Sequence, residues 1–327
     1  MTEQDFIRIQ DFKKGDTATG FYIVRNSALK TSANNRNYGD LTLGDASGEI
    51  NAKIWTVPPE GLPNVGDFIK TQGLVTEWQG KLQYRIDKFR QVREGDPVDM
   101  EQMTPSAPES PEAMLLEIEG YAARIRNIDI KSIVLLLLDR HREALSYYPA
   151  ALRNHHSIRS GLAYHTLSML RVADGILKVY DFLNADLVYG GVILHDIAKI
   201  DELEAGTGGI ASQYTAPGQL LGHITQGILM VGKAGEQLGC DPEIVTLLQH
   251  MILSHHYEPE YGSPKRPAFP EAEVLHYLDV LDARMFDMRR ILEDQQPGTF
   301  SEIIWTLHNR KLYRTVFDAP EAPENEQ

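Results

Sequence analysis

Residues 190–200 read GGVILHDIAKI, an apolar run that closes on the adjacent pair His195 and Asp196. Other imidazole and carboxylate residues stand at long range from it: His165, His223, His255, His256 and Asp279. These are the ligand types that first-row divalent cations prefer. Single ligands scattered over separate apolar segments are expected when several helices each lend one or two side chains to a metal centre in their shared core. All eleven histidines follow residue 140, so this chemistry belongs to the second half of the chain.

Neighbouring residues on a helix point about 100° apart. His195 and Asp196 can therefore reach one cation only at a helix end or beside a cleft, and the two carboxylate oxygens of Asp196 can also bridge two cations. LAYHTLSML sets His165 on an apolar helix upstream. LHYLDVLDARM carries Asp279 and Asp282 three residues apart, hence on one helix face. Buried carboxylates need partners. Arg284 or Arg289 would serve Asp282 more readily than Asp279, which Tyr277, Leu278, Val280 and Leu281 flank. In LLQHMILSHHYE, the residues Leu247, Leu248, Met251 and Ile252 mark a buried helix that carries His250 and ends on His255 and His256. His223, in GQLLGHITQG, reads as a helix start. Any one of these histidines is more often a satisfied core residue; the set together favours a metal site.

The elements that must position them divide the chain in two. Residues 12–93 read as short β segments (TGFYIV, DLTLGD, EINAKIW, DFIKTQGLV, LQYRIDKF) separated by Gly, Asn, Asp and Pro. Five such strands suggest a small closed barrel. Residues 94–113, rich in Pro, Ser and acidic groups, read as an exposed linker. From there to 317 the periodicity is helical, beginning with Ser110 as N-cap and Pro at the first helical position. Residues 318–327 read as an acidic disordered tail. The expected organisation is a barrel over 1–93, a linker over 94–113, a helical domain over 114–317 and the tail.

One cysteine, Cys240, excludes an intramolecular disulfide framework. The longest apolar run, IVLLLL at 133–138, is too short for a membrane span of about 20 residues. MTEQDFIRIQ lacks the look of a signal peptide. A cytoplasmic protein with no membrane partner is the expectation. The net charge of −14 opposes a generally basic nucleic-acid binder. Residues 1–95, however, hold 13 Lys and Arg against 12 Asp and Glu, and the remainder 19 against 34, so the first domain meets a polyanion more easily.

The strand order of the first domain resembles the OB-fold of nucleic-acid-binding proteins. The second domain resembles the HD metal-dependent phosphohydrolases. The whole chain is similar to the YhaM family of 3′-5′ exoribonucleases, which join the two. The stretches that carry this are RNHHSIRSGLAYHTLSMLRVA, GGVILHDIAKI, GQLLGHITQGILMV and LLQHMILSHHYEPEYGSPKRPAFPEAEVLHYLDVLDARM. Many relatives have Gly where this chain has Ala198. The resemblance implies a multidomain α and β protein, an OB barrel followed by an all-α HD domain. It implies metal ligands at His165, His195, Asp196, His223, His255, His256 and Asp279, with Asp282 as the alternative distal carboxylate. It implies two divalent cations, manganese first and cobalt, iron, nickel, zinc or magnesium as alternatives. Asp196 would be catalytic, with Lys199 and Arg159 stabilising charge on the phosphate. Single-stranded RNA is the expected partner, single-stranded DNA a second one, and a homo-oligomer is compatible with the reading. On the barrel, Arg36, Tyr38, Tyr22, Lys53, Trp78 and Tyr84 are the candidate contacts to nucleic acid and Trp55 the expected core residue. The competing readings are an HD hydrolase of small or cyclic nucleotides, which leaves the barrel idle, and a non-catalytic nucleic-acid-binding protein, which leaves the ligand set idle.

Overall fold

The computed structural model describes residues 7–317 except 33, 60, 94, 99–103, 153–155, 207, 294 and 305–306. The expected acidic tail, and part of the expected linker, lie outside the described residues.

Strands β1 (Thr17–Thr31), β2 (Asn37–Asp45), β3 (Gly48–Ile54), β4 (Phe68–Trp78) and β5 (Lys81–Gln91) close into a barrel of order β1-β2-β3-β5-β4. β1 pairs antiparallel with both β2 and β4, and β3 runs parallel to β5. That is the five-stranded Greek-key closure of an OB-fold. Alternation sets the inside: Ile50, Ala52 and Ile54 of β3 are buried while Asn51 and Lys53 are not.

Two expectations about the barrel do not hold in the structure. Tyr22 and Tyr84, candidates for base contact, are 1% and 0% exposed and pack with Phe12 at the barrel centre. Their phenols are spent inside, Tyr22 donating to the Ile7 carbonyl at 2.9 Å and Tyr84 to the Ala18 carbonyl at 2.9 Å. Burial pushes the Tyr84 phenol up to about 12. Conversely Trp55, the expected core residue, is 54% exposed, because it follows the outward parity of Asn51 and Lys53.

The second domain is helical: α1 (Pro111–Arg124), α2 (Ile128–Leu145), α3 (Gly161–Val179), α4 (Ala185–Leu194), α5 (Lys199–Glu202), α6 (Ala216–Leu238), α7 (Pro242–Ser254) and α8 (Pro270–Glu293). A short hairpin, β6 (Leu203–Ala205) and β7 (Ala211–Tyr214), interrupts them. Ser110 caps α1 by accepting from the Ala113 amide at 3.2 Å. α4 is apolar on every side and buried from Leu187 to Leu194, the pattern of a central helix. A Cβ at Gly191 would lie 2.2 Å from Met251 and 3.5 Å from Leu275, so the missing side chain lets α4 meet α7 and α8. The helix that ends on His195 is thereby held against the helices that end on His255 and carry Asp279.

The stretch read as an exposed linker is docked at its second half. Thr104 is buried and its hydroxyl donates to the Gly208 carbonyl at 3.4 Å. The Arg159 amide donates to the Pro105 carbonyl, and the Ala107 amide to the Arg159 carbonyl, both at 2.9 Å. Phe68 of the barrel packs over Gly208 of the β6–β7 hairpin.

Candidate metal centre

Each ligand-type side chain sits where a helix begins or ends, or on a helix face turned inward. His195 and Asp196 follow directly on α4, and His255 and His256 on α7. His223 follows Gly222, whose φ of 69° breaks α6, so His223 opens a new helical segment. His165 lies on the buried face of α3 and Asp279 on α8.

They form two groups. His165, His195 and Asp279 make one, and His223, His255 and His256 the other; within each, the ligand atoms lie within 4.8 Å of one another. Asp196 stands between them. Its Oδ2 is 3.3 Å from His195 Nε2 and 3.8 Å from His165 Nε2, and its Oδ1 is 3.4 Å from His223 Nε2 and 3.8 Å from His255 Nε2. One carboxylate thus offers an oxygen to each group.

Every ring is oriented through its other nitrogen. Nδ1 meets the Val192 carbonyl at 2.8 Å in His195, the Ile252 carbonyl at 2.8 Å in His255 and the Tyr261 carbonyl at 2.6 Å in His256. It meets Glu202 Oε1 at 3.0 Å in His223 and Asp282 Oδ2 at 2.6 Å in His165. Such acceptors fix the Nδ1–H tautomer and leave the Nε2 lone pair free to bind a cation. Three of those nitrogens, in His195, His223 and His255, are buried without a hydrogen-bond partner among the described residues, and so is Asp196 Oδ1. Buried polar atoms are rarely left without partners. Four orphans converging on two spaces, all of them imidazole or carboxylate, fit a pair of divalent cations.

The electrostatics agree. Burial opposes ionisation of Asp279, yet the His165 hydrogen bond and the surrounding imidazoles hold its carboxyl well below the usual carboxylate range. Burial likewise opposes a charged His165, but Asp279 and Asp282 push it up to about 10. The first group therefore demands positive charge. In the second, burial and the neighbouring imidazoles hold His255 well below its ordinary value, hence neutral. Lys199 Nζ donates to Asp196 Oδ2 at 2.6 Å, and Asp196 outweighs burial to keep the ammonium charged.

The two distal carboxylates part company. Asp279 Oδ1 lies 3.3 Å from His165 Nε2, on the ligand side, whereas Asp282 holds Nδ1 from behind and also lies 3.3 Å from His156 Nε2. Among the described residues no arginine pairs with Asp282: Arg289 pairs with Glu293, and Arg284 meets His308. The aliphatic part of Arg159, the residue expected at the phosphate, packs against Gly209 beside the docked linker. Its backbone is hydrogen-bonded to Pro105 and Ala107. Glu202 is a residue sequence reasoning passed over. One of its oxygens takes both the His223 amide at 2.9 Å and the ring, and its place six residues after Asp196 in KIDELE was the available signal.

On the barrel, Tyr38 and Trp55 stack at 5.0 Å with 29° between planes, and Lys53 Nζ lies 5.5 Å from the Tyr38 centroid. Lys53 and Lys30 both grip Asp40. Arg36 is exposed in the loop before β2, and Trp78, 66% exposed, ends β4.

Among the described residues, no helix is long and apolar enough to cross a membrane. The HD domain family matches residues 162–284, the span from α3 into α8. The second OB-fold domain of replication protein A from Methanococcus maripaludis is similar over 27% of this chain and 96% of its own, with 16% identity and a TM-score of 0.23. The 3′-5′ exoribonuclease YhaM of Geobacillus sp. (strain WCH70) is 39% identical over 315 residues, 95% of this chain and 96% of the relative. That of Shouchella clausii (strain KSM-K16) is 40% identical over 311 residues, 94% of this chain and 97% of the relative. With this identity along nearly the whole of both chains, and with an OB barrel joined to an HD ligand set, the chain belongs to the YhaM family of 3′-5′ exoribonucleases.

Proposed function

We propose that this protein hydrolyses single-stranded RNA from its 3′ end with a two-cation centre, manganese being the resident metal. The observation that carries the reading is Asp196, one oxygen turned to each of two ligand groups, with the Nε2 atoms of His195, His223 and His255 left without a hydrogen-bond partner among the described residues. His165, His195, Asp196 and Asp279 would hold one cation, and His223, His255, His256 and Asp196 the other. Divalent cations held there supply Lewis acidity toward a phosphoryl oxygen and lower the pKa of water. The chain does the rest. Nδ1 anchors keep each Nε2 aimed, so the ligands need not reorganise. Lys199, fixed on Asp196, places a positive charge beside the centre for the non-bridging phosphate oxygens. Near-complete burial of His165, His195, Asp196 and His255 keeps bulk water from screening these charges. Half-buried Tyr38 stacked on exposed Trp55, with Lys53, supplies what a sequence-tolerant single-strand platform requires, ring faces and a cation. The direction of attack is taken from the relatives' activity.

The test is incubation with single-stranded RNA labelled at either end, in Mn²⁺ or Mg²⁺. A 5′ label should pass through a ladder of shortening products while a 3′ label is released at once as a mononucleotide. Internal fragments from both labels, or no cleavage in either metal, would overturn the reading. The same strand as DNA decides the sugar preference.

A further inference from the structure

Between the barrel and the helical domain lies a cleft of about 830 Å³, within the range of ligand sites. None of the metal ligands lines it. Arg25, Asn26 and Thr42 face it from the barrel, Phe286, Arg289 and Arg290 from α8. With Glu49 and Glu293, its charged lining is three cations against two carboxylates, in a molecule where residues beyond 95 are strongly acidic.

Arg25 is placed there by a specific device. The register of β1 on β2 slips between Val24 and Asn26, so Arg25 is the extra residue of a β-bulge, a feature that re-aims a side chain. Gly44 opposite leaves it room, since a Cβ there would lie 2.8 Å from Arg25 Nε. The Arg25 side chain is only 18% exposed, its Nε has no hydrogen-bond partner among the described residues, and Glu49 stands at 3.7 Å. Burial pulls this guanidinium below its ordinary pKa, the mark of a cation short of partners.

Both ends of the cleft lead to something. On the barrel, Thr42 continues outward along β2 through Asp40 to Tyr38, a step of about 13 Å, which joins the cleft to the Tyr38–Trp55 stack. On α8, Asp279, Asp282, Phe286, Arg289 and Glu293 recur every three or four residues and so share one face. That face starts at the metal ligand Asp279, passes the ring of Phe286 stacked at 3.9 Å on His156, and ends in the cleft wall.

We infer that this cleft is a binding site for the sugar-phosphate backbone of a single strand, with Arg25, Arg289 and Arg290 taking phosphates between the stacking platform and the metal centre. The inference rests on the proposed function for the identity of the strand. It makes the cleft a track that a substrate must be long enough to occupy.

The test uses the full chain in EDTA, so that nothing is cleaved, and a labelled RNA of about 20 nucleotides, longer than the roughly 4–16 an OB barrel covers alone. Affinity is measured over a KCl series for the wild type, for Arg25→Gln/Arg289→Gln/Arg290→Gln, and for the three Arg→Lys replacements. Loss of three phosphate contacts should make the slope of log K on log salt shallower by about 2 and weaken binding about tenfold or more at low salt. The lysine variant should keep the slope. Melting temperature and Mn²⁺ uptake report whether the glutamine variant is folded. If it is not, Arg289→Gln/Arg290→Gln, at two exposed positions, should still lower the slope by about 1.4. An unchanged slope in a folded variant overturns the cleft assignment, whatever the wild type does to RNA. A changed slope in a protein that, given Mn²⁺, releases no 3′ nucleotide leaves the cleft standing and removes the exonuclease reading.

Discussion

Asp282 and Asp279 share a helix face, yet replacing each by asparagine should give different enzymes. Asp282 Oδ2 accepts from His165 Nδ1 at 2.6 Å, a charge-assisted bond that fixes the ring and raises the basicity of Nε2. In Asp282→Asn the amide oxygen still accepts, but without charge. Outer partners of this type are worth about 10–100-fold in metal affinity, or about 1.4–2.7 kcal/mol. The expected enzyme binds Mn²⁺ that much more weakly and recovers most of its rate when Mn²⁺ is raised in proportion. Asp279→Asn removes a charged group from the ligand side of His165, so excess metal should not restore it. Calorimetric Mn²⁺ titration of both variants, with initial rates on RNA against Mn²⁺ concentration, separates the cases. Recovery of Asp279→Asn but not Asp282→Asn would exchange the two roles. An Asp282→Asn affinity within about twofold of wild type would refute the idea that the carboxylate tunes His165.

Asp196→Asn should abolish hydrolysis, because one neutral amide cannot serve both groups; a residual rate above about a tenth of wild type, where metal catalysis supplies several kcal/mol, would remove its bridging role. Elemental analysis of Mn-loaded protein should give two ions per chain, and one for His223→Ala; a wild type saturating at one ion counts against the second group. Tyr38→Ala and Trp55→Ala should each weaken single-strand binding by about 1–3 kcal/mol in a fluorescence titration, whereas equal affinity would show that the stack is not a platform. Burial raises the Asp40 carboxyl, but hydrogen bonds from Lys30, Lys53 and Asn51 hold it well below the usual range. A depressed folded value means that its stabilisation is present above about pH 4 and lost as pH falls through that value. The melting-temperature gap between wild type and Asp40→Asn should therefore narrow in strong acid, and a gap that does not vary with pH would refute the clamp.

The candidate ligands were legible because each interrupts an apolar pattern, His195 after VIL and His255 after MILS at helix ends, His165 and Asp279 within helices. The barrel was legible from alternation, and so, strictly, was the outward position of Trp55, which shares parity with Asn51 and Lys53. Tyr84 likewise shares parity with the buried Ile86. What misled is that an aromatic ring suits a barrel core and a base equally well, and only the closure of β1 on β4 decides which face is inside. Asp279 and Asp282 could not be separated by spacing, because the choice depends on which nitrogen of His165 each one meets. The direction of Arg25, a basic barrel residue already open to nucleic-acid contact, was not legible for a different reason: a one-residue bulge shifts side-chain direction without leaving a mark in hydrophobic periodicity.

The Nδ1 anchors bear on which ion the protein carries in a cell. Three are backbone carbonyls, one turn back or just ahead in the chain, so those rings take their positions when the helices form rather than when a cation arrives. A receptor of fixed shape made of imidazole and carboxylate, without a thiolate, ranks ions by their intrinsic preference for nitrogen, and on that scale zinc outcompetes manganese. The three imidazoles of His223, His255 and His256 are the part most open to such substitution. On the proposed manganese reading, occupancy would then be decided by supply, and a surplus of zinc should compete for these ligands.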